Sequence, residues 1–351
     1  MEVSALPALR PLRLGELLDQ AIRLYRRNFL MFIGIIAVVY VPVMVLQTIA
    51  TTLLSSSMLR LTSASPDEIF LNYGPWLGMS LTFLVALLQF ILVQGIATGA
   101  LTRAVADNYL GSSTSILDAY RGIRSYWLTL IGALLFLGLV LIGLAVWWMV
   151  PCIGWFTGLG MMAFLMAAIN PLVPPIVVLE RQNAIEAVRR AWSLARRRFW
   201  PLLGYVFVLY LFSLLVVNGP VAVVSFALTG AFESISDPTL QLVVRSIIQS
   251  LVSLVGILLY LPLQLTAFTL IYFDLRVRTE GFDLALLTMD PSSSTDITQA
   301  VAAPVVPSSE RFITGQDLGN FAILTLAAAG IYIFFFSFIM GGVFFFASMF
   351  G

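Results

Sequence analysis

The chain has 351 residues, a mean hydropathy of +0.98, and only 11% charged residues. A soluble domain carries about a quarter charged residues, so a water-soluble globule is excluded and lipid must solvate much of the surface. The net charge is +1, from 19 basic residues that are all arginine against 18 acidic ones, which gives no case for nucleic-acid binding.

In chain order, residues 1–29 are amphipathic and arginine-bearing, without the short apolar core and cleavage site of a signal peptide. Seven apolar segments follow, near 30–54, 75–102, 127–150, 155–179, 199–230, 247–273 and 321–349, none containing Asp, Glu, Lys, Arg or His. Each exceeds the roughly 20 helical residues that cross a hydrocarbon core of about 30 Å. No alternation of period two points to a barrel. The expected fold is all-α, a polytopic transmembrane bundle. Its parts are a six-span module over 1–287, a Pro/Ser-rich linker over 288–318 and an additional Phe-rich helix over 319–351.

With the N-terminus inside, the inner loops hold 17 arginines and the outer loops two, Arg60 and Arg245. That split satisfies the positive-inside rule and sets the expected topology, with a cytoplasmic N-terminus, an extracytoplasmic C-terminus and a bacterial inner membrane as the location. Tryptophans fall at the span ends, as amphipathic rings prefer.

The stretches 16–40 and 186–210 align without a gap and share nine of 25 residues, among them Arg26/Arg196, Arg27/Arg197, Phe29/Phe199 and Gly34/Gly204. A weaker copy, "LDAYRGIRSYWLTLIG", places Arg124 on Arg196. The sequence thus reads as three units, each an amphipathic helix, a basic-aromatic junction and a span hairpin. In "LGELLDQAIRLYRR" and "NAIEAVRRAWSLARRR" apolar residues recur at helical spacing opposite a charged face. Asp19–Arg23 and Glu186–Arg190 are spaced for i,i+4 pairs. Such helices are expected to lie in the headgroup layer as orientation anchors. Their arginines, Arg23, Arg26, Arg27, Arg124, Arg189, Arg190, Arg196, Arg197 and Arg198, are then candidates to meet anionic lipid headgroups or a membrane-protein partner.

Within the spans, "NPLVPP" at 170–175, "NGP" at 218–220 and Pro262 are candidate helix breaks or kinks, and Gly95/Gly99 form a GxxxG. Asn170, Asn218 and Gln264 are candidate polar sites inside the bundle. After the sixth span, "YFDLRVRTEGFDLALL" carries local charge pairs and a C-cap glycine, Gly281.

The repeats, the opening "LRPLRLGELLDQAIRLYRRNF", "AIEAVRRAWSLARRRFWPLLG" and "YFDLRVRTEGFDLALL" together carry a family resemblance over about 9–289. The chain resembles the bacterial integral membrane domain associated with glycerophosphoryl diester phosphodiesterases, which precedes a soluble catalytic domain or stands alone. The resemblance implies a six-helix, non-catalytic module; here a linker and one more span stand where the catalytic domain would be.

The absence of histidine removes the metal-holding histidines of such phosphodiesterases, haem ligation, histidine proton relays and Ser-His-Asp hydrolysis. The one cysteine, Cys152, excludes an intrachain disulfide and a cysteine-based metal site. Glu280 with Asp283 reads as solvated charge near a helix end. No enzyme activity, cofactor or metal is expected. The leading expectation is a scaffold or accessory subunit for a membrane-bound partner. The alternative is lipid or small-amphiphile handling through the bundle, which requires a cavity near Asn170, Asn218 and Gln264.

Overall fold

The computed structural model describes residues 10–62, 73–231, 237–287 and 314–350. Every regular element among them is helical. Six helices are long and apolar enough to cross a bilayer: α2 (Phe29–Leu59), α3 (Gly74–Tyr109), α5 (Trp127–Trp148), α6 (Ile153–Glu180), α8 (Phe199–Leu228) and α9 (Pro238–Glu280). Three amphipathic helices, α1 (Leu14–Arg27), α4 (Ile116–Ile123) and α7 (Ala184–Arg197), each precede an odd-numbered crossing. A short α10 (Phe282–Leu287) follows α9, and α11 (Gly315–Phe350) is a seventh long helix over the Phe-rich stretch. The expected linker at 288–318 falls largely outside the described residues, but its last four positions belong to α11. Thr314 and Asp317 close the start of that helix: the Thr314 N–H and hydroxyl donate to Asp317 at 2.8 and 2.7 Å. A T-x-x-D capping box is legible in "TGQD".

Because α2, α5 and α8 start and α3, α6 and α9 end on the same side, α1, α4 and α7 gather at one end of the bundle. Part of each apolar face packs against protein, while Leu14, Ile22, Leu117 and Ile185 stay exposed. Leu17, Ala21 and Tyr25 of α1 are buried, as are Ala187, Ala191, Trp192 and Ala195 of α7. The Tyr25 hydroxyl donates to the Leu259 carbonyl in α9 at 2.9 Å, and the Tyr120 hydroxyl of α4 to that of Ile35 in α2 at 2.5 Å. Burial pushes both phenols up to about 12. Protein offers an apolar helix face the same escape from water as lipid, and adds these directional bonds.

The central crossing is α6, with 67% of its most apolar window buried. The GxxxG of α3 admits α5: a side chain on Gly95 would meet Ile131 at 2.8 Å. None of the suspected breaks interrupts a helix. Instead π-helical segments at Phe90–Ala97, Leu165–Ile169 and Leu214–Asn218 lie inside α3, α6 and α8, the last two directly ahead of "NPLVPP" and "GP". Pro262 is accommodated within the continuous α9.

The first half of α11 docks on the bundle. Phe321 meets Phe164, Trp192 and Phe199 with ring centroids 5.7, 5.9 and 5.7 Å away, and Phe164 stacks on Phe199 at 4.5 Å. Arg196 pairs with Asp317 at 3.3 Å. At Gly160 the backbones come so close that a Cβ would lie 2.0 Å from the Phe321 carbonyl oxygen.

Candidate functional site

Two polar regions stand out, and they are built in opposite ways. At the arginine-rich end, Glu180 closes α6 with its side chain fully buried, and Arg276 of α9 is equally inaccessible. Arg190 of α7 donates to Glu180 at 3.1 Å and also pairs with Glu280, which Arg276 holds at 3.1 Å. The Tyr272 hydroxyl donates to Glu180 at 2.9 Å and accepts from Arg276 at 3.1 Å, and the Arg276 guanidinium lies 4.4 Å above the Phe282 ring. Two cations and two anions cancel, so the network is neutral and its lone pairs are used, the condition under which buried ions persist. Burial works against the Arg190 charge, yet Glu180 and Glu280 outweigh it and hold its pKa above the ordinary arginine value.

This network corrects two expectations. Arg190 turns to Glu180 and Glu280 rather than to Glu186, and neither Asp19–Arg23 nor Glu186–Arg190 is an ion pair among the described residues. Glu280 is not solvated; its side chain is 1% exposed. The local pairing read in "FDLRVRTE" does form, as Asp274–Arg278 at 2.8 Å and Arg276–Glu280. Gly281 caps α9 in the left-handed conformation.

The second region is a cavity of about 750 Å³ running from mid-span toward the same end, between α3, α5, α6, α8, α9 and α11. Its wall is mainly apolar, and no charged side chain lines it. Gln94, Asn170 and Gln264 all face it, and none of these three carboxamides has a hydrogen-bond partner among the described residues. Other polar groups on the wall are engaged: Thr98 donates to the Val93 carbonyl at 2.9 Å, and Tyr260 to that of Leu209 at 2.7 Å. Trp200, Phe207 and Tyr210 of α8 are exposed beside it, so the cavity opens toward lipid. Helix α6 adds a backbone acceptor that lacks its usual helical donor. The Asn170 carbonyl has neither an i+4 nor an i+5 donor, because Pro174 and Pro175 both lack an N–H.

Of the expected interior sites, Asn170 and Gln264 come together here and Asn218 does not. Asn218 closes the α8 π segment and is exposed, away from the cavity. Gln94 was missed, although a lone amide in "FILVQGIA" carries the same signal as the other two. Of the nine candidate arginines, Arg23, Arg26, Arg27, Arg124, Arg189 and Arg197 are exposed. Arg198 is half-buried, and Arg190 and Arg196 are drawn into the ion pairs described above. Cys152 lies exposed in the α5–α6 turn.

An all-helical bundle with six crossing helices and a lipid-facing surface is a multi-pass integral membrane protein. Residues 12–275, most of its length, match the family described as Domain of unknown function (DUF7847), and the chain belongs to that family. Neither a curated protein nor a solved structure matches the chain.

Proposed function

We propose that this protein binds a lipid-like amphiphile in the cavity and handles it within the leaflet on its arginine-rich side. One observation carries the reading: three unpartnered carboxamides converge on a single cavity inside the membrane. Gln94 is exposed and Asn170 and Gln264 are half-buried; an amide turned to an apolar medium without a partner costs about 1–3 kcal/mol on the mutational scale, which favours a ligand that satisfies all three. About 750 Å³ lies within the range of small-molecule sites. Because the wall carries no charge, the part of the ligand it holds is uncharged and rich in hydrogen-bonding groups, such as ester carbonyls and hydroxyls. The apolar remainder of the wall suits a hydrocarbon chain.

This reading leads over the scaffold because the described residues supply a cavity that suits it. The exposed arginines keep a supporting role, holding the basic end against anionic headgroups. The 17-to-2 distribution of all nineteen arginines supports a cytoplasmic N-terminus at a bacterial inner membrane. The expected kinship with the phosphodiesterase-associated module favours a non-catalytic role beside lipid metabolism.

The test is photolabelling of the full chain in nanodiscs with a diacylglycerol bearing a diazirine in one acyl chain. Label is expected in the peptides that contain Asn170 and Gln264, and an Asn170→Leu/Gln264→Leu double variant should lose it. Labelling spread evenly over the lipid-facing surface, and unchanged in the double variant, would refute the proposal.

A further inference from the structure

On the opposite face of α8 lies a smaller cavity, about 250 Å³, at the arginine-rich end. Arg198, Pro201, Leu202 and Tyr205 line it at i, i+3, i+4 and i+7, whereas Trp200, Leu203, Gly204 and Phe207 face the large cavity. One helix therefore separates two sites of different character. The remaining walls come from Leu12 and Arg13 before α1 and from Asp274 and Arg278 of α9.

The charges here do not cancel. Three arginines, Arg13, Arg198 and Arg278, line the pocket against one carboxylate. That carboxylate is already occupied: Asp274 accepts from the Leu12 N–H and from Arg278, each at 2.8 Å. Arg278 also donates to the Leu12 carbonyl at 2.5 Å, which fixes the chain ahead of α1 as a wall. Arg198 and the Tyr205 hydroxyl, both half-buried, feel one another's field and that of Asp274 but have no hydrogen-bond partner among the described residues. A guanidinium and a phenol left unpaired on a concave surface with a net positive lining are complementary to a small tetrahedral oxyanion. The volume admits such a group and excludes acyl chains.

We propose that this pocket binds a phosphate group, with Arg198 as the principal cation, Tyr205 as a neutral donor and Arg13 covering the open side. The phosphate comes either from a phospholipid headgroup or from a soluble phosphorylated molecule, and the pocket recognises the chemistry they share. The site does not depend on the large cavity, so the two proposals fail separately.

The experiment uses the purified full chain in detergent micelles, titrated with inorganic phosphate and, separately, with phosphatidylglycerol, and read by native mass spectrometry and thermal shift. Saturable binding of one probe or both is expected. Phosphate alone points to a soluble ligand and phosphatidylglycerol alone to a headgroup. Arg198→Gln should weaken binding by roughly tenfold or more, the scale of a hydrogen bond to a charged group. Tyr205→Phe, a conservative change that keeps the packing, should weaken it several-fold. Arg245→Gln removes the same charge from an exposed position at the opposite end of the bundle and should change nothing. An equal loss in Arg245→Gln, or no saturation by either probe, would overturn the site.

Discussion

The ion network around Glu180 is almost wholly buried, whereas the amides of the large cavity sit on an open wall, Gln94 exposed and Asn170 and Gln264 half-buried. In the first, every charged group has an opposite partner and Tyr272 uses its hydroxyl twice. In the second, Gln94, Asn170 and Gln264 point at open space. A protein that satisfies one buried cluster so thoroughly is not short of the means to satisfy the other. Completion marks a structural joint, here tying α6, α7, α9 and α10 together, and incompletion marks a place kept for a ligand.

The contrast is broken most severely at the joint. Arg276→Met leaves Glu180 and Glu280 to share Arg190, and removing one member of a buried ion cluster costs about 3–5 kcal/mol. Unfolding of the reconstituted variant in mixed micelles should show a loss of that size; a loss below about 1 kcal/mol would mean the network is wetter than its geometry indicates. Gly160→Ala comes next. Its Cβ would sit 2.0 Å from the Phe321 carbonyl, so α11 must shift, at about 1–3 kcal/mol for an overpacked contact, readable as a lower midpoint of thermal unfolding. At the cavity the sign changes. Asn170→Leu/Gln264→Leu removes groups with no partner, so stability should stay within about 1 kcal/mol of wild type or rise, while ligand retention falls.

The smallest effect sharpens the comparison through pH. Tyr25 and Tyr120 are raised from 10 to about 12 by burial. A raised pKa favours the protonated fold, so their contribution is complete below pH 10 and is lost as pH climbs through about 12. Thermal midpoints should fall between pH 10 and 12, and less steeply in a Tyr25→Phe/Tyr120→Phe variant.

The crossing helices were legible because lipid imposes one rule, a long apolar run with its backbone bonds closed internally. The basic-aromatic junctions were legible for the same reason, since each marks where a span begins. Side-chain pairing was legible only within one helix, as in Asp274–Arg278 and Arg276–Glu280. An i,i+4 rule assigns Arg190 to Glu186 because it sees one helix, whereas Glu180 and Glu280 arrive from two others through tertiary packing. The surroundings of α1 and α7 were legible only in part: an amphipathic face shows that something apolar covers it, not which residues meet Leu259 and its neighbours and which stay exposed, as Ile22 and Ile185 do. Asn170 and Gln264 were found because an amide in an apolar run is unusual. Asn218 meets the same criterion and points outward, since face is set by the π segment it ends.

Those π segments carry a consequence for how the site is maintained. A π turn amounts to one residue inserted into an α-helix, and each added residue rotates everything downstream by about 100°. Deleting a single residue within Leu165–Ile169 would restore an ordinary helix and turn Asn170, Pro171 and Pro174 off the cavity together, while the span loses only one residue and stays long and apolar enough to cross. The register of three helices, rather than the identity of any one side chain, is the inheritance on which the cavity depends, and a one-codon slip is the lesion to which it is most exposed.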